Sequence, residues 1–249
     1  MIVGNPVVFK HSEECVLTGK LIDDIVKSCG LPEGVFSEVY GDGGVGEILL
    51  NQDIDLVAFT GSTKTGKLIY ELAGKKFIRA LLEMGGSAPG VVFGDVNVDE
   101  VVQFVFSQRF MNNGQCCDGL KRLIVHKSLF NKVVQKLKEI LESKTIGDAS
   151  DSYDFGPLSA KRQLNLLVSQ VSDATNKGAK VITGGKLPKD LQGAYYLPTI
   201  LTDIKSDMRV WKEEVFGPVL PVISFETEEE ANNGGKRYTI RFGFVCFFW

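Results

Sequence analysis

Residues 56–73, LVAFTGSTKTGKLIYELA, hold the pattern that decides the fold class. Residues 56–60 are a short apolar run that reads as a strand. The run leads directly into Gly61-Ser62-Thr63, and residues 64–73 read as a helix. A strand that passes through a glycine-containing turn into a helix is typical of α/β proteins with a mostly parallel sheet.

The same alternation continues along the chain. Predicted strands cover residues 6–10, 35–40, 56–60, 88–93, 123–126, 179–183, 195–201 and 219–225. Predicted helices cover residues 16–28, 64–73, 98–112, 129–142 and 160–177, the first with Leu17, Leu21, Ile22 and Ile25 on one face. The sequence therefore predicts an α/β fold whose last strand ends at residue 225.

Composition describes an ordinary globular chain. Of its 249 residues, 24% are charged and 44% are hydrophobic, and the net charge of -3 gives no electrostatic reason to expect a nucleic acid partner. The five irregularly spaced cysteines do not form a disulfide framework, so a cytoplasmic location is expected. We expect neither a signal peptide nor a membrane partner, because no basic stretch precedes an apolar run and no apolar run approaches ~20 residues.

Two motifs carry chemistry. The run Asn112-Asn113-Gly114-Gln115-Cys116-Cys117 contains thiols that can attack a carbonyl carbon, and Glu83-Met84-Gly85-Gly86 contains a carboxylate that can activate a thiol or a water. Glycines in both motifs allow the backbone to approach a flat substrate or cofactor. A cysteine alone is more often a small core residue, and Glu-x-Gly-Gly alone can be a turn, so the interpretation depends on both motifs together.

With three further segments, these motifs resemble the aldehyde dehydrogenase superfamily, and its semialdehyde and lactaldehyde types are among the candidates for this chain. The further segments are Lys10-His11-Ser12-Glu13, Phe59-Thr60-Gly61-Ser62-Thr63-Lys64-Thr65-Gly66 and Glu213-Glu214-Val215-Phe216-Gly217-Pro218-Val219. All five occur in the family's order, at about its spacings. The resemblance implies a partial Rossmann-like cofactor domain at residues 1–85, a partial α/β catalytic domain at 86–231 and an aberrant tail at 232–249.

The resemblance also implies NAD(P)-dependent oxidation of a small aldehyde to a carboxylic acid. Cys117, the second residue after Gln115, would form a thiohemiacetal and then a thioester, and Glu83 would be the general base. The implied cofactor-binding residues are Lys10, Glu13, Gly61, Ser62, Gly66, Glu214 and Phe216. Glu13 favours NAD, because a carboxylate can bind ribose hydroxyls and would repel a 2′-phosphate, and NADP is the alternative.

Several neighbouring residues leave alternatives open. Cys116 can pair with Cys117 or be a free thiol, but no metal site is predicted, because no histidine lies nearby in the sequence. Arg109 and Arg122 flank the cysteine motif and can recognise a substrate carboxylate. Met111 favours a less acidic aldehyde, because succinic semialdehyde relatives carry arginine there.

The limits of the resemblance support a second interpretation. The family carries an asparagine before the first matched residues that helps to hold the oxyanion, which leaves the Cys117 backbone N–H as the expected donor. After residue 231 the chain lacks the family segment that closes the substrate funnel and joins the dimer. The chain then reads as truncated at both ends. It would be an inactive fragment that keeps nucleotide binding or an interaction role, and the family's homo-oligomer would be in doubt.

Overall fold

The computed structural model describes residues 1–236 and 245–247 of the chain, with only the backbone of residues 236 and 245–247. The chain divides into two compact units, Met1–Met84 and Gly85–Trp249, called here the first and the second unit. In the part of the chain that is described, none of the helices combines the length and the hydropathy that a membrane crossing requires.

The first unit consists of two parallel strand pairs. Its elements are β1 (Val7–Lys10), α1 (Val16–Ser28), β2 (Phe36–Val39), α2 (Gly43–Leu50), β3 (Leu56–Gly61), α3 (Thr63–Lys76) and β4 (Arg79–Met84). Strand β1 pairs with β2, and β3 pairs with β4. Because parallel strands need a crossover connection, α1 and α3 each lie between two paired strands in the sequence.

The first unit buries little apolar surface. Its buried apolar residues are Ile69 and Ala73, both on α3. On α1, the predicted apolar face is mostly exposed, since Leu17, Leu21 and Ile25 all lie in the exposed class. The pattern predicted the bounds of α1 correctly, but the sequence does not specify whether a partner surface is present to cover that face.

The second unit is a six-stranded sheet with helices. Its elements are β5 (Ala88–Val92), α4 (Val98–Phe110), a 3₁₀ turn (Met111–Gly114), β6 (Leu120–His126), α5 (Phe130–Glu142), α6 (Lys161–Asn176), β7 (Lys180–Thr183), β8 (Thr199–Thr202), α7 (Arg209–Lys212), β9 (Val219–Phe225), α8 (Glu228–Lys236) and β10 (Val245–Phe247). The strand order is β10-β5-β6-β9-β8-β7. All neighbours pair in parallel except β7 and β8.

Apolar clusters cover both faces of this sheet. Ile200 belongs to a cluster that includes residues of α4 and α5, whereas its neighbour Leu201 belongs to a cluster that includes residues of α6. Successive strand residues point to opposite faces. The two clusters therefore lie on opposite sides of the sheet, as an α/β fold requires.

The α/β prediction is confirmed, with differences in several elements. Helices α2, α7 and α8 and strand β4 were not predicted, and β6 starts at Leu120 where the prediction began at residue 123. The strand predicted at 195–201 starts at Thr199, after a proline that has no N–H to donate. The prediction that residue 225 ends the last strand is wrong, because β10 pairs with the edge of β5. Backbone hydrogen bonds at an open edge produce that pairing. The remainder of the predicted tail, 237–244 and 248–249, lies outside the described residues.

Candidate active site

The cysteine loop, defined as residues 112–117, begins with an unusual turn. Helix α4 ends at Phe110, and three consecutive residues then take positive φ values, Asn112 at 49°, Asn113 at 55° and Gly114 at 69°. Asparagine tolerates this region better than most residues, and glycine adopts it freely. A Cβ at Gly114 would overlap the carbonyl oxygen of Gly217, so this position also requires a residue without a side chain.

Side-chain amides fix the loop to residues 156–159. Asn113 Nδ2 donates to the carbonyl oxygens of Gly156, at 2.7 Å, and Pro157, at 3.1 Å. Gln115 Oε1 accepts the backbone N–H of Ser159 at 3.0 Å. The loop is therefore held by specific hydrogen bonds and by its close approach to Gly217.

The two thiols of the loop differ in accessibility. Cys116 and Cys117 are both free cysteines, so the vicinal disulfide left open by the sequence does not form in this structure. Cys117 is exposed, whereas Cys116 is half-buried and lies near Gly119. The exposed thiol of Cys117 is the more accessible to a small electrophile.

Glu214 lies against the Gly85-Gly86 turn of the second unit. A Cβ at Gly85 would overlap the Glu214 carboxylate, and the backbone N–H of Gly86 donates to it. Its Oε1 is buried and has no hydrogen-bond partner among the described residues. Burial is the largest influence on the group and raises the pKa of Glu214 above its ordinary 4.5.

Glutamine side chains position the segment from Glu214 to Phe216. Gln170 Nε2 donates to the backbone carbonyl oxygen of Glu214 at 3.1 Å, and Gln163 Nε2 donates to that of Phe216 at 3.0 Å. Both glutamines are on α6. Sequence reasoning did not single them out, because a glutamine on a helix gives no sign of its distant partner.

Lys121 connects the cysteine loop with Glu214 and Phe216. This buried lysine of β6 donates to the backbone carbonyl oxygen of Cys116. Its Nζ lies 3.7 Å from Glu214 Oε1 and 4.8 Å from the centroid of the Phe216 ring. Burial lowers the pKa of Lys121 to about 8. The sequence analysis missed this residue, because it began the strand at residue 123 and so left Lys121 outside it.

The hypothesis that Arg109 and Arg122 recognise a substrate carboxylate is wrong for this structure. Both side chains are buried and donate to backbone carbonyl oxygens. Arg109 donates to Val219 at 2.9 Å and to Val215 at 3.1 Å, and Arg122 donates to Ser87 at 3.1 and 3.2 Å. Guanidinium groups offer several fixed donors, which suits them to joining carbonyls from different segments.

In the first unit, Ser62 caps α3. Its Oγ accepts the backbone N–H of Thr65 at 3.2 Å, and Ser62 itself is exposed. Gly61 ends β3 beside it. Gly66 is buried, and a Cβ there would overlap the Met84 side chain, so this glycine allows α3 to pack closely on β4.

The other predicted residues of the first unit lie near strand ends. Glu83 is exposed, next to the last residue of β4, and is paired in register with Thr60 of β3. Lys10 ends β1 and donates from Nζ to the backbone carbonyl oxygen of His11 at 2.8 Å. Glu13 follows β1 and is exposed.

Each unit, taken by itself, offers groups that fit one part of a dinucleotide. The start of α3 offers backbone N–H groups and the Ser62 hydroxyl, which is the donor set that binds phosphates at helix N-termini. Glu214 Oε1 is a buried acceptor that a ribose hydroxyl can satisfy. Within residues 1–236 and 245–247, no three metal-ligating side chains are grouped as a metal site requires.

Comparison with known proteins agrees with this chemistry. The model of the aldehyde dehydrogenase family matches residues 1–233. A peroxisomal aminoaldehyde dehydrogenase of Pisum sativum is 38% identical over 94% of this chain and 47% of its own length. The chain belongs to the aldehyde dehydrogenase family.

Solved structures show the same fold. Lactaldehyde dehydrogenase from Escherichia coli is 36% identical, with a TM-score of 0.89 over 94% of this chain and 50% of that one. Betaine aldehyde dehydrogenase from Staphylococcus aureus, solved in complex with NAD+, is 32% identical, with a TM-score of 0.89 over 94% and 48%. The chain spans about half the length of the curated relatives it matches.

Proposed function

We propose that this protein oxidises a small aldehyde to a carboxylic acid with NAD, through a thioester on Cys117. The observation that carries the proposal is the exposed Cys117 thiol at the end of a loop that packs against Gly217, one residue from Phe216. A rigid loop can hold a nucleophile in a reactive orientation without further ordering at the moment of reaction. Membership of the aldehyde dehydrogenase family supports the reaction class.

In the first half of the reaction, the Cys117 thiol loses its proton to solvent, and the resulting thiolate sulfur attacks the aldehyde carbon. A C–S bond forms, the carbonyl π electrons move onto oxygen, and the backbone N–H of Cys117 donates to that oxygen. When bound, the nicotinamide supplies the acceptor for the hydride that the carbon loses. A thioester then remains on Cys117.

In the second half, Glu83 takes a proton from a water molecule, which attacks the thioester carbon. The C–S bond breaks, the Cys117 sulfur leaves as a thiolate and the carboxylic acid is released. Glu83 is exposed, so water can reach it. A carboxylate oxygen beside such a water can accept its proton.

The cofactor proposal divides the dinucleotide among the predicted residues. The phosphates would bind at the start of α3, to Ser62 with Gly61 and Gly66. One ribose would bind to Lys10 and Glu13. The nicotinamide ribose and ring would bind to Glu214 and Phe216. The acceptor on Glu214 and the donors at α3 support this division. NADP is the alternative cofactor.

A second candidate function is nucleotide binding without turnover. The donors at the start of α3 and the buried Glu214 acceptor serve nucleotide binding whether or not turnover follows. NAD titration by calorimetry, beside NADH formation with a panel of short aldehydes, distinguishes the two: binding without NADH supports the second candidate. Cytoplasmic location and the oligomeric state stay predictions, and the name of the pea relative places that protein in peroxisomes.

The adjacent cysteines provide a matched test of the nucleophile. Cys117→Ala should abolish NADH formation, because it removes the sulfur on which the proposed thioester forms, whereas Cys116→Ala should retain most of it. The measurement is NADH absorbance with saturating aldehyde, with circular dichroism as the control for folding. Full activity of folded Cys117→Ala would refute the assignment of the nucleophile.

A further inference from the structure

The burial of Lys121 needs an explanation. Its side chain is only 1% exposed, inside a strand whose neighbours Leu120 and Leu123 belong to the apolar core. Lysine is almost never buried to this extent without a partner. A buried ion pair often stabilises a protein no more than apolar side chains in its place would, so stability alone does not account for it.

The ion pair with Glu214 does not account for it either. The 3.7 Å between Lys121 Nζ and Glu214 Oε1 is too long for a hydrogen bond, and Glu214 Oε1 has no hydrogen-bond partner among the described residues. The hydrogen bond that Nζ makes goes to the backbone carbonyl oxygen of Cys116. The cation is therefore directed mainly at the cysteine loop.

That carbonyl shares a peptide unit with the N–H of Cys117. The chain has no cis peptide bond among its described residues, so the Cys116 C=O and the Cys117 N–H point in opposite directions from one plane. A group that fixes the C=O also fixes the N–H. A cation at the oxygen additionally polarises the peptide, and hydrogen bonds in such a chain strengthen one another.

We propose that Lys121 is a positioning residue: its ammonium group holds the Cys116 carbonyl and thereby orients and strengthens the Cys117 N–H as the oxyanion donor. The inference rests on the proposed function, because only a nucleophilic Cys117 needs that donor. Since Lys121 also contacts Glu214 and the Phe216 ring, it connects the donor with the residues proposed for the nicotinamide ribose.

Lys121 can change charge near neutral pH. The charged or titratable groups that influence it are Arg109, Glu214, Cys116 and Cys117. Burial and the Arg109 cation lower the pKa of Lys121 to about 8, and Glu214 and the two thiols act in the opposite direction. The bond to the Cys116 carbonyl should therefore weaken as the pH rises through 8.

A nuclear magnetic resonance experiment reads the peptide directly. Cys116 and Cys117 are the only adjacent cysteines in the sequence. Cysteine labelled with ¹³C at the carbonyl and with ¹⁵N therefore gives one signal in a spectrum that correlates an amide with the preceding carbonyl. That signal reports the Cys116 carbonyl and the Cys117 amide in the whole chain, without substrate.

Three variants test the assignment of this hydrogen bond. Lys121→Met, of similar volume but uncharged, should shift the carbonyl signal upfield, and Lys121→Arg should return it toward its original position. Lys180→Met is the matched control, because Lys180 is exposed and its ion-pair partner is Asp203, a residue outside the cysteine loop. If Lys121→Met leaves the signal in place, the proposal is refuted.

A titration of the unchanged protein covers the case in which Lys121→Met does not fold. Its signal should move with a midpoint near pH 8. In Lys121→Arg that movement should be missing, because a guanidinium group keeps its charge at this pH. Identical titration curves for the two proteins would overturn the proposal.

Turnover gives the functional measurement. In Lys121→Met, kcat should fall on the order of 10–100-fold, the size expected for loss of a hydrogen bond from a charged group, with a smaller change in KM. Loss of turnover in Cys117→Ala together with an unmoved signal in Lys121→Met refutes this inference alone. Turnover that persists in Cys117→Ala refutes the proposed function, whatever the signal does.

Discussion

At the scale of the residue, Lys121 and Glu214 show how burial and attraction compete. Burial is the largest influence on both, lowering the pKa of Lys121 and raising that of Glu214, while each opposes part of the shift of the other. Both groups are therefore biased toward their neutral forms, although they attract one another. A proton can leave this pair in a pH range where exposed lysines keep theirs.

This bias predicts a pH dependence of stability. The folded-state pKa of about 8 lies below the ordinary 10.5, so folded Lys121 binds its proton less tightly than unfolded Lys121 does. The penalty is fully present below pH 8 and is relieved between 8 and 10.5, by at most about 1.4 kcal/mol per pH unit. Over that range, the free energy of unfolding of the unchanged protein should rise relative to that of Lys121→Met. Urea unfolding measures this difference.

A pH-independent difference between those two proteins would contradict the prediction. Lys180→Met is again the control, since Lys180 lies at the surface and its ion pair with Asp203 raises its pKa. Between pH 8 and 10.5, the difference in the free energy of unfolding between Lys180→Met and the unchanged protein should stay nearly constant.

Glu13 carries the prediction of cofactor preference. If its carboxylate faces the ribose, the protein should bind NAD more tightly than NADP, because the carboxylate repels a 2′-phosphate. Glu13→Ser should narrow that preference by roughly tenfold, the effect of about 1.4 kcal/mol of charge interaction. Calorimetric titration with both nucleotides measures the ratio without turnover. Glu14→Ser, the adjacent exposed carboxylate, should leave the ratio unchanged, and tighter binding of NADP by the unchanged protein would contradict the assignment.

At the scale of the element, α4, β6 and the segment before β9 join at the cysteine loop. Arg109 at the end of α4 donates to carbonyl oxygens of Val215 and Val219, Lys121 on β6 donates to Cys116, and Gly114 packs on Gly217. Each contact joins residues that are far apart in the sequence or belong to different elements. The loop is thus positioned by its surroundings as much as by its own left-handed turn.

At the start of α3, two roles of Ser62 can be tested separately: capping of the helix and the proposed binding of a phosphate. Ser62→Ala removes the Oγ that accepts the Thr65 N–H, which should cost about 1 kcal/mol in the free energy of unfolding, and should also weaken NAD binding. Ser62→Asn should retain most of the stability, because asparagine caps helices as well as serine does, yet lose affinity for NAD. Urea unfolding and calorimetry measure the two effects. If Ser62→Asn binds NAD as tightly as the unchanged protein, the serine hydroxyl does not contact the phosphate.

At the scale of the whole molecule, the two units differ in their cores. The second unit has a six-stranded sheet with apolar clusters on both faces, whereas the first has two strand pairs and buries only Ile69 and Ala73 as apolar residues. Two-stranded sheets are at best marginally stable unless they bury a hydrophobic face. The stability of the chain should therefore come mainly from the second unit.

Separate production of the two units tests this. Residues 85–249 alone should unfold cooperatively in urea, whereas residues 1–84 alone should show no cooperative transition and should aggregate through exposed apolar residues such as Leu17 and Phe77. Far-UV circular dichroism and light scattering measure both outcomes. A cooperative transition of isolated 1–84 would show that its small core is sufficient.

The sequence by itself determined the α/β class, the bounds of α1 and the loop that carries Cys117, because hydrophobic periodicity and turn residues act over a few neighbouring positions. Only the tertiary structure decided the roles of Lys121, Arg109 and Arg122, since their partners lie on other segments of the chain. It also decided the pairing of β10 with β5 and the exposure of the α1 face. Burial and the carbonyl groups that surround a charge are properties of the packed molecule, so no local pattern could have specified them.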